Sequence, residues 1–473
     1  MSDRAWLKLV AAPDTSVTRG HRYPYDGTES SPEHFAGLLR EATRREPQRF
    51  IALALQFPLD CYSGYFINVL NGMNSSYGTP ANACESPAIR NQDIEPLIRR
   101  LVPLLDDDRE IARSVCGLIQ SRYKESWSDF VLDLLERLAQ EHADPVPGHA
   151  INIDPNDPKQ EHEPDHVMTA INCVRGSAIG AIEALRWEEH VDDERYLRVL
   201  KGAIADPHAA VRVAGLDLLV PLLNQDRPAA VEACVHLCEH PEDGVFAAHG
   251  LNQIIPFTVL EYHERVYPLV QRMTVSSREG VAEAGVRWAI QTHLYRDEAL
   301  DSLRKEFAER TNLRRAAAST LADVEAKHLA NPAMRDWISD CFTDQDDSVR
   351  HAAADILHRE ELYENRDFIG AVDCYVRESP SLENLFMLTS ALSKTSARLS
   401  PYRSVLSHLM QRLMQESVAG ARSGYHLDQD LPGILLRLYE ESDSDSKASG
   451  QALDLIDQMI EQDVRSQLLP QID

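Results

Sequence analysis

Apolar residues recur along the chain at three- and four-residue spacing, and strict alternation is scarce. That pattern predicts α-helices throughout. In Val211–Leu219 the apolar positions 211, 214, 218 and 219 fall on one side of a helix. Asp206-Pro207 is expected to supply an N-cap and a proline at the first helical position, and Ser31-Pro32-Glu33 and Ser379-Pro380 repeat that start signal. Ala214, Gly215, Ala284, Gly285, Ala316 and Ala317 are small where neighbouring helices must approach closely.

The helical pattern itself repeats. Asp206-Pro-His-Ala-Ala-Val211-Arg212-Val-Ala214-Gly-Leu-Asp-Leu-Leu219 aligns without a gap with Asp344-Gln-Asp-Asp-Ser-Val349-Arg350-His-Ala352-Ala-Ala-Asp-Ile-Leu357. Weaker copies start at Val174-Arg175, Val245, Val281, Leu313-Arg314 and Leu385, giving a period of about 32–37 residues. Two helices per period, neither able to bury its apolar face alone, predict stacking. The expected fold is an all-α, α-α superhelix, an α-solenoid of helical pairs.

The Asp-x4-Val-Arg-x-Ala pattern at 206–214 and 344–352 resembles HEAT repeats. The resemblance implies a ladder between successive repeats built from Asp206, Arg212, Asp344 and Arg350, with Arg175 and Arg314 matching only the arginine. At Val245 and Val281 the next residue is Phe246 or Ala282, so the ladder is expected to break there.

A narrower resemblance covers most of the chain. Ser31–Leu39, Pro47–Phe50, Ala52–Leu55, Ile171–Ala178 and Ala452–Met459 look like the C-terminal HEAT-like region of large bacterial NACHT/STAND-type NTPases linked to phage defence. In that class an ATPase and an effector lie N-terminal and the C-terminal array senses a trigger. This chain has no Gly-x4-Gly-Lys-Ser/Thr, so no P-loop ATPase is expected in it. The resemblance implies a protein partner, either an NTPase subunit or a phage protein.

One segment interrupts the helical rhythm. Residues 142–165 hold Pro145, Pro147, Pro155, Pro158 and Pro164 and six acidic side chains against Lys159. The expected organisation is an irregular N-terminal helical block at 1–141, an acidic Pro-rich loop at 142–165 read as a solvated linker, and a repeat array at 166–473. Ser442–Lys447 reads as an exposed turn between the last two helices.

Charge narrows the partners. The 473 residues carry 48 Lys+Arg and 75 Asp+Glu, a net charge of -27. Such a surface repels phosphate backbones, which counts against nucleic acid and favours a basic patch on a protein partner. No apolar run approaches the ~18 residues that cross a bilayer, and Met1-Ser2-Asp3-Arg4 lacks a signal-peptide pattern. With eight sparse cysteines, the expectation is a cytoplasmic chain with reduced thiols.

Candidate chemistry is thin. His162-Glu163-Pro164-Asp165-His166 matches His-Glu-x-x-His, a zinc motif that needs one helix under both histidines, and Pro164 argues against such a helix. Cys234, His236, Cys238 and His240 alternate, but on a helix the thiol pair and the imidazole pair diverge, so a buried Cys pair is expected. Arg40, Arg44, Arg45 and Arg49 read as a solvated face partly paired with Glu41 and Glu46. Arg19, His21, Tyr23 and Tyr25 are an interface candidate. For Tyr62, Tyr65, Phe66 and Tyr77 the expectation is core packing, with a surface groove as the alternative. No nucleophile elbow, nucleotide loop or paired Cys-x-x-Cys occurs, so no catalytic residue, cofactor or metal is assigned. A non-enzymatic sensor or scaffold is the leading expectation. A HEAT-like DNA glycosylase, a bilin lyase and a scaffold for an unrelated complex are the alternatives.

Overall fold

A computed structural model describes residues 1–11, 32–74, 89–146, 151–152, 164–239, 243–380, 385–418, 427–441 and 446–461. The fold is all-α, an α-solenoid of stacked helices. It divides into two compact units, Met1–Val266 and Tyr267–Asp473. The first contains α1 (Asp3–Val10), α2 (Pro32–Arg45), α3 (Pro47–Ala54), α4 (Gly64–Met73), α5 (Asn91–Leu101), α6 (Arg109–Ser121), α7 (Asp129–Glu141), α8 (His166–Asn172), α9 (Val174–Trp187), α10 (Asp193–Ala205), α11 (Ala209–Gln225), α12 (Arg227–Cys238) and α13 (His249–Thr258). After α14 (His263–Thr274), the second contains α15 (Glu279–Tyr295), α16 (Asp301–Phe307), α17 (Thr311–Ala322), α18 (Pro332–Phe342), α19 (Asp347–Ala354), α20 (Arg366–Glu378), α21 (Leu385–Lys394), α22 (Arg403–Val418), α23 (Leu427–Glu441) and α24 (Ser446–Glu461).

Within the first unit the helices form two layers. One runs α2, α4, α6, α9, α11, α13, each packed on the next. The other runs α7, α10, α12, each beside its neighbour and beneath the first layer. The second unit repeats the plan: α15, α17 and α19 stack in one layer and α18, α20 and α22 in the other. Val174, Val211, Val281, Leu313 and Val349, the positions that mark the sequence period, open the first-layer helices and are all buried. Val245, in the degenerate copy, is buried in a 3-10 turn (Asp243–Ala247) just before α13. Helix α11 is buried around almost its whole circumference, from Ala209 through Leu216, because α9, α10, α12 and α13 surround it.

Two arginine–aspartate rungs join successive repeats, and neither uses Arg212 or Arg350. Arg175 reaches Asp206 of the next repeat at 2.5 Å and Arg314 reaches Asp344 at 2.8 Å. Arg212 and Arg350, the arginines in the two best-matched copies, turn back inside their own repeat to the backbone carbonyls of Asp206 and Asp344. The reason is geometric: Asp206 and Asp344 each accept from a backbone N–H two residues on, which fixes the carboxylate at the helix start facing the preceding repeat. A second arginine series runs through the second unit. Arg310 donates to the carbonyls of Thr274 and Ser276, Arg359 to those of Ala322 and Val324, and Arg412 to those of Val376 and Ser379. Each places a cation on the unsatisfied C-terminal carbonyls of an earlier helix or the turn after it.

The division at Val266 and Tyr267 does not coincide with the expected boundary at 142–165. Helices α6 and α7, from the block expected to be irregular, pack directly on α9. The start of the acidic segment also differs from a solvated linker. His142 Nε2 lies 3.0 Å from the Leu105 carbonyl. Buried Asp144 accepts from the Val174 N–H at 2.8 Å and lies 3.6 Å from Arg109. Asp144 thus occupies the ladder position one step before Asp206. Further on, Ile151–Asn152 and Pro164–Asp165 pair as a two-residue antiparallel ladder, Ile151 opposite Asp165.

Candidate functional site

The first layer of the first unit carries a surface groove of about 330 Å³. Each successive helix contributes to it: Gln120 from α6, Ile171 from α8, Ser177 and Glu183 from α9, Asp217 from α11, and His249 and Gln253 from α13. The helices can present these side chains together because small residues let them close up. Gln120 lies across Gly180, where an added Cβ would sit 3.3 Å from its amide nitrogen. Gly250 brings the start of α13 against α11; a Cβ there would stand 2.6 Å from the Leu216 carbonyl and 2.8 Å from Asp217 Oδ1.

Two half-buried carboxylates form the floor. Glu183 accepts from the Trp187 indole N–H at 2.6 Å, and Asp217 accepts from the Gly250 N–H at 3.1 Å. Burial pushes Glu183 above the ordinary carboxylate range, the Trp187 hydrogen bond opposes this, and the charge of Asp217 adds to it. Burial likewise raises Asp217, against the pull of the Gly250 N–H and of His249. His249 Nε2 is 2.8 Å from Gln253 Nε2. Ile171, which lines the groove, is 61% exposed, and Trp187, bonded to Glu183, is 47% exposed.

A groove of about 260 Å³ lies on the first layer of the second unit, lined by Glu283, Arg287, Gln291, Arg315, Ser319 and Asp323. Here Arg315 bonds Glu283 of the lining and, at 2.7 Å, Glu279.

The sequence-derived candidates fall elsewhere. Asp206, Arg212, Asp344 and Arg350 are buried or half-buried framework groups. Arg19, His21, Tyr23, Tyr25 and Tyr77 lie outside the described residues. No helix runs through 162–166: His166 opens α8, capped by Asp165, which accepts from the Met168 N–H at 2.8 Å. His162 and His240 lie outside the described residues. Cys234 and Cys238 are buried on α12, while exposed His236 sits between Glu232 at 3.2 Å and Glu239 at 3.1 Å and is raised by them. Arg44 pairs with Glu41, and Arg49 joins Glu46 to Asp3 and the Met1 carbonyl. Tyr65 and Phe66 are core residues. Among the described residues no group of three or more His, Cys, Asp or Glu side chains could hold a metal ion, and no helix is long and apolar enough to cross a membrane.

Sequence reasoning missed the groove. Asp217 was in view, since it aligns with Asp355, but alignment alone does not separate an outward acid from a framework one. Glu183 and Trp187, one turn apart on α9, carry no signal beyond that spacing.

No protein-family model matches the chain, and no curated protein matches it. Among solved structures it is similar to an engineered protein of known crystal structure, at 12% identity over 97% of this chain and 99% of that one, with a TM-score of 0.28.

Proposed function

We propose that this chain is a non-enzymatic, protein-binding solenoid of the HEAT-like kind, acting in the cytoplasm as the sensor or scaffold part of a bacterial anti-phage NTPase system. The observation that carries the protein-binding reading is the groove of the first unit. It is a surface feature assembled from five helices, with acids on its floor and apolar side chains on its rim. A surface built by adding one residue row per repeat suits an extended polypeptide better than a small substrate, which needs enclosure. The inter-repeat pairs Arg175–Asp206 and Arg314–Asp344 support the HEAT-like likeness. The defence role rests on the resemblance of 31–55, 171–178 and 452–459 to NACHT/STAND-type C-terminal regions. A glycosylase would need a basic face beside its acid, whereas no lysine or arginine lines the groove of the first unit.

The test is recovery of tagged chain from bacterial lysate before and after phage challenge, followed by mass spectrometry. The expected result is co-purification of a P-loop NTPase, or of one phage protein after challenge only. Recovery of nucleic acid or of a small-molecule adduct would contradict it. Saturable binding of labelled ATP by the chain alone would contradict the division of labour.

A further inference from the structure

We propose that the groove of the first unit receives a cationic side chain, arginine or lysine, from an extended basic segment of a partner protein, seated between Glu183 and Asp217 with its methylene stem against Trp187. This deepens the protein-binding reading above by naming the partner's chemistry.

The argument starts from how this chain treats acids at the contacts between successive repeats. Asp206 is matched by Arg175, Asp344 by Arg314, and Glu136 by Arg195 and Arg198. Among the described residues no arginine or lysine lines the groove beside Glu183 and Asp217. Their hydrogen bonds come from an indole N–H and a backbone N–H, which orient each carboxylate without neutralising it. Two adjacent, partly desolvated negative charges repel each other, and an incoming guanidinium or ammonium relieves both at once. Burial supports the same conclusion, since it holds both carboxyls above their ordinary range and so makes ionisation costly until a cation arrives. Trp187, hydrogen-bonded to Glu183, supplies what a long cationic side chain also needs, an exposed indole for its charge and stem. A groove of about 330 Å³ takes a side chain or two, not a folded domain. The net charge of -27 draws basic segments towards the whole surface, and the groove gives them one place to stop.

The test uses the full chain and a fluorescently labelled arginine-rich peptide, read by polarisation at physiological salt. Glu183→Gln with Asp217→Asn is expected to weaken binding at least tenfold. Asp107→Asn with Glu141→Gln removes the same charge from exposed positions outside the groove and is expected to change binding less than twofold. Trp187→Leu is expected to weaken binding severalfold, and thermal melting confirms that each variant folds. Equal losses in the two double variants would overturn the proposal in favour of diffuse charge attraction. Displacement of the peptide by spermidine at matched charge would also overturn it, since a free polyamine would then suffice. Should the lysate experiment return a partner whose binding survives Glu183→Gln with Asp217→Asn, the protein-binding reading stands and this inference fails. Should the peptide bind as expected while the lysate returns neither an NTPase nor a phage protein, this inference stands and the defence assignment fails.

Discussion

Each unit carries a groove on its own first layer, yet the two differ in charge: the first holds acids alone, the second acids and arginines together. Counting six residues on from the buried valine that opens each helix gives Asp217 on α11 and Arg287 on α15. In the first unit the acids Glu183 and Asp217 meet only neutral donors. In the second, Arg315 spans Glu279 and Glu283, and Arg287 stands exposed beside them. The repeat dictates which positions face inward, because those must pack. It leaves the outward turn free, and the units differ there. Framework and recognition are therefore separable by register within one helix.

The largest expected effect comes from breaking the framework on one side of that comparison. Arg175→Ala leaves the carboxylate of Asp206 buried and unmatched, at a cost of about 3–5 kcal/mol. In calorimetry or hydrogen exchange, the loss should fall on the first unit while the amides of α17–α19 keep their protection. Arg314→Ala should do the converse to the second unit, and by less, because its partners are more exposed. A uniform loss across both units after either change would mean that they do not behave as separate bodies.

Next in size are the inward-turned arginines. Arg212→Ala and Arg350→Ala each remove a charge-assisted hydrogen bond to a buried carbonyl, worth about 1.5–3 kcal/mol, and should lower melting without abolishing peptide binding. Unchanged melting in both variants would remove them from the framework.

The smallest effect concerns pH. Glu183 and Asp217 have carboxyls raised in the folded state, so the fold holds protons that the unfolded chain has released. The stability this contributes is complete below the ordinary carboxylate range and is lost as pH rises through the raised values. Glu183→Gln and Asp217→Asn should therefore match the parent's melting in acid and exceed it near neutrality, by roughly 1–2 °C. A variant that melts lower than the parent at neutral pH would mean these carboxylates stabilise the fold. Together with weakened peptide binding, higher melting would mark the acids as groups retained for recognition.

Much of the fold is legible in the sequence because it rests on what must be buried. The period at Val174, Val211, Val281, Leu313 and Val349 recurs as the buried opening of each first-layer helix. The same alignment, shifted by 100 residues from Asp206 and Val211, also places Asp106 and Ile111 at the start of α6. In that copy Ala112 stands where the motif expects arginine. The ladder is half legible. Residue types point to Asp and Arg, but which arginine crosses between repeats depends on the path of the preceding helix. The role of Asp144 is hidden by its proline-rich surroundings, whose composition suggests solvent while its carboxylate accepts from the first N–H of α9. The groove is the least legible part, since its chemistry lies in what Glu183 and Asp217 lack.

The most direct measurement exchanges the two registers. Asp217→Arg gives the first unit the residue that the second carries at Arg287, and Arg287→Asp makes the opposite exchange. Titrating the labelled arginine-rich peptide against both, the account predicts that Asp217→Arg loses binding by more than tenfold, because a like charge now stands in the seat. Arg287→Asp should hold binding within about twofold, with any change a gain from its added negative charge. Retained affinity in Asp217→Arg, or equal loss in both variants, would contradict the claim that the first unit holds the recognition groove.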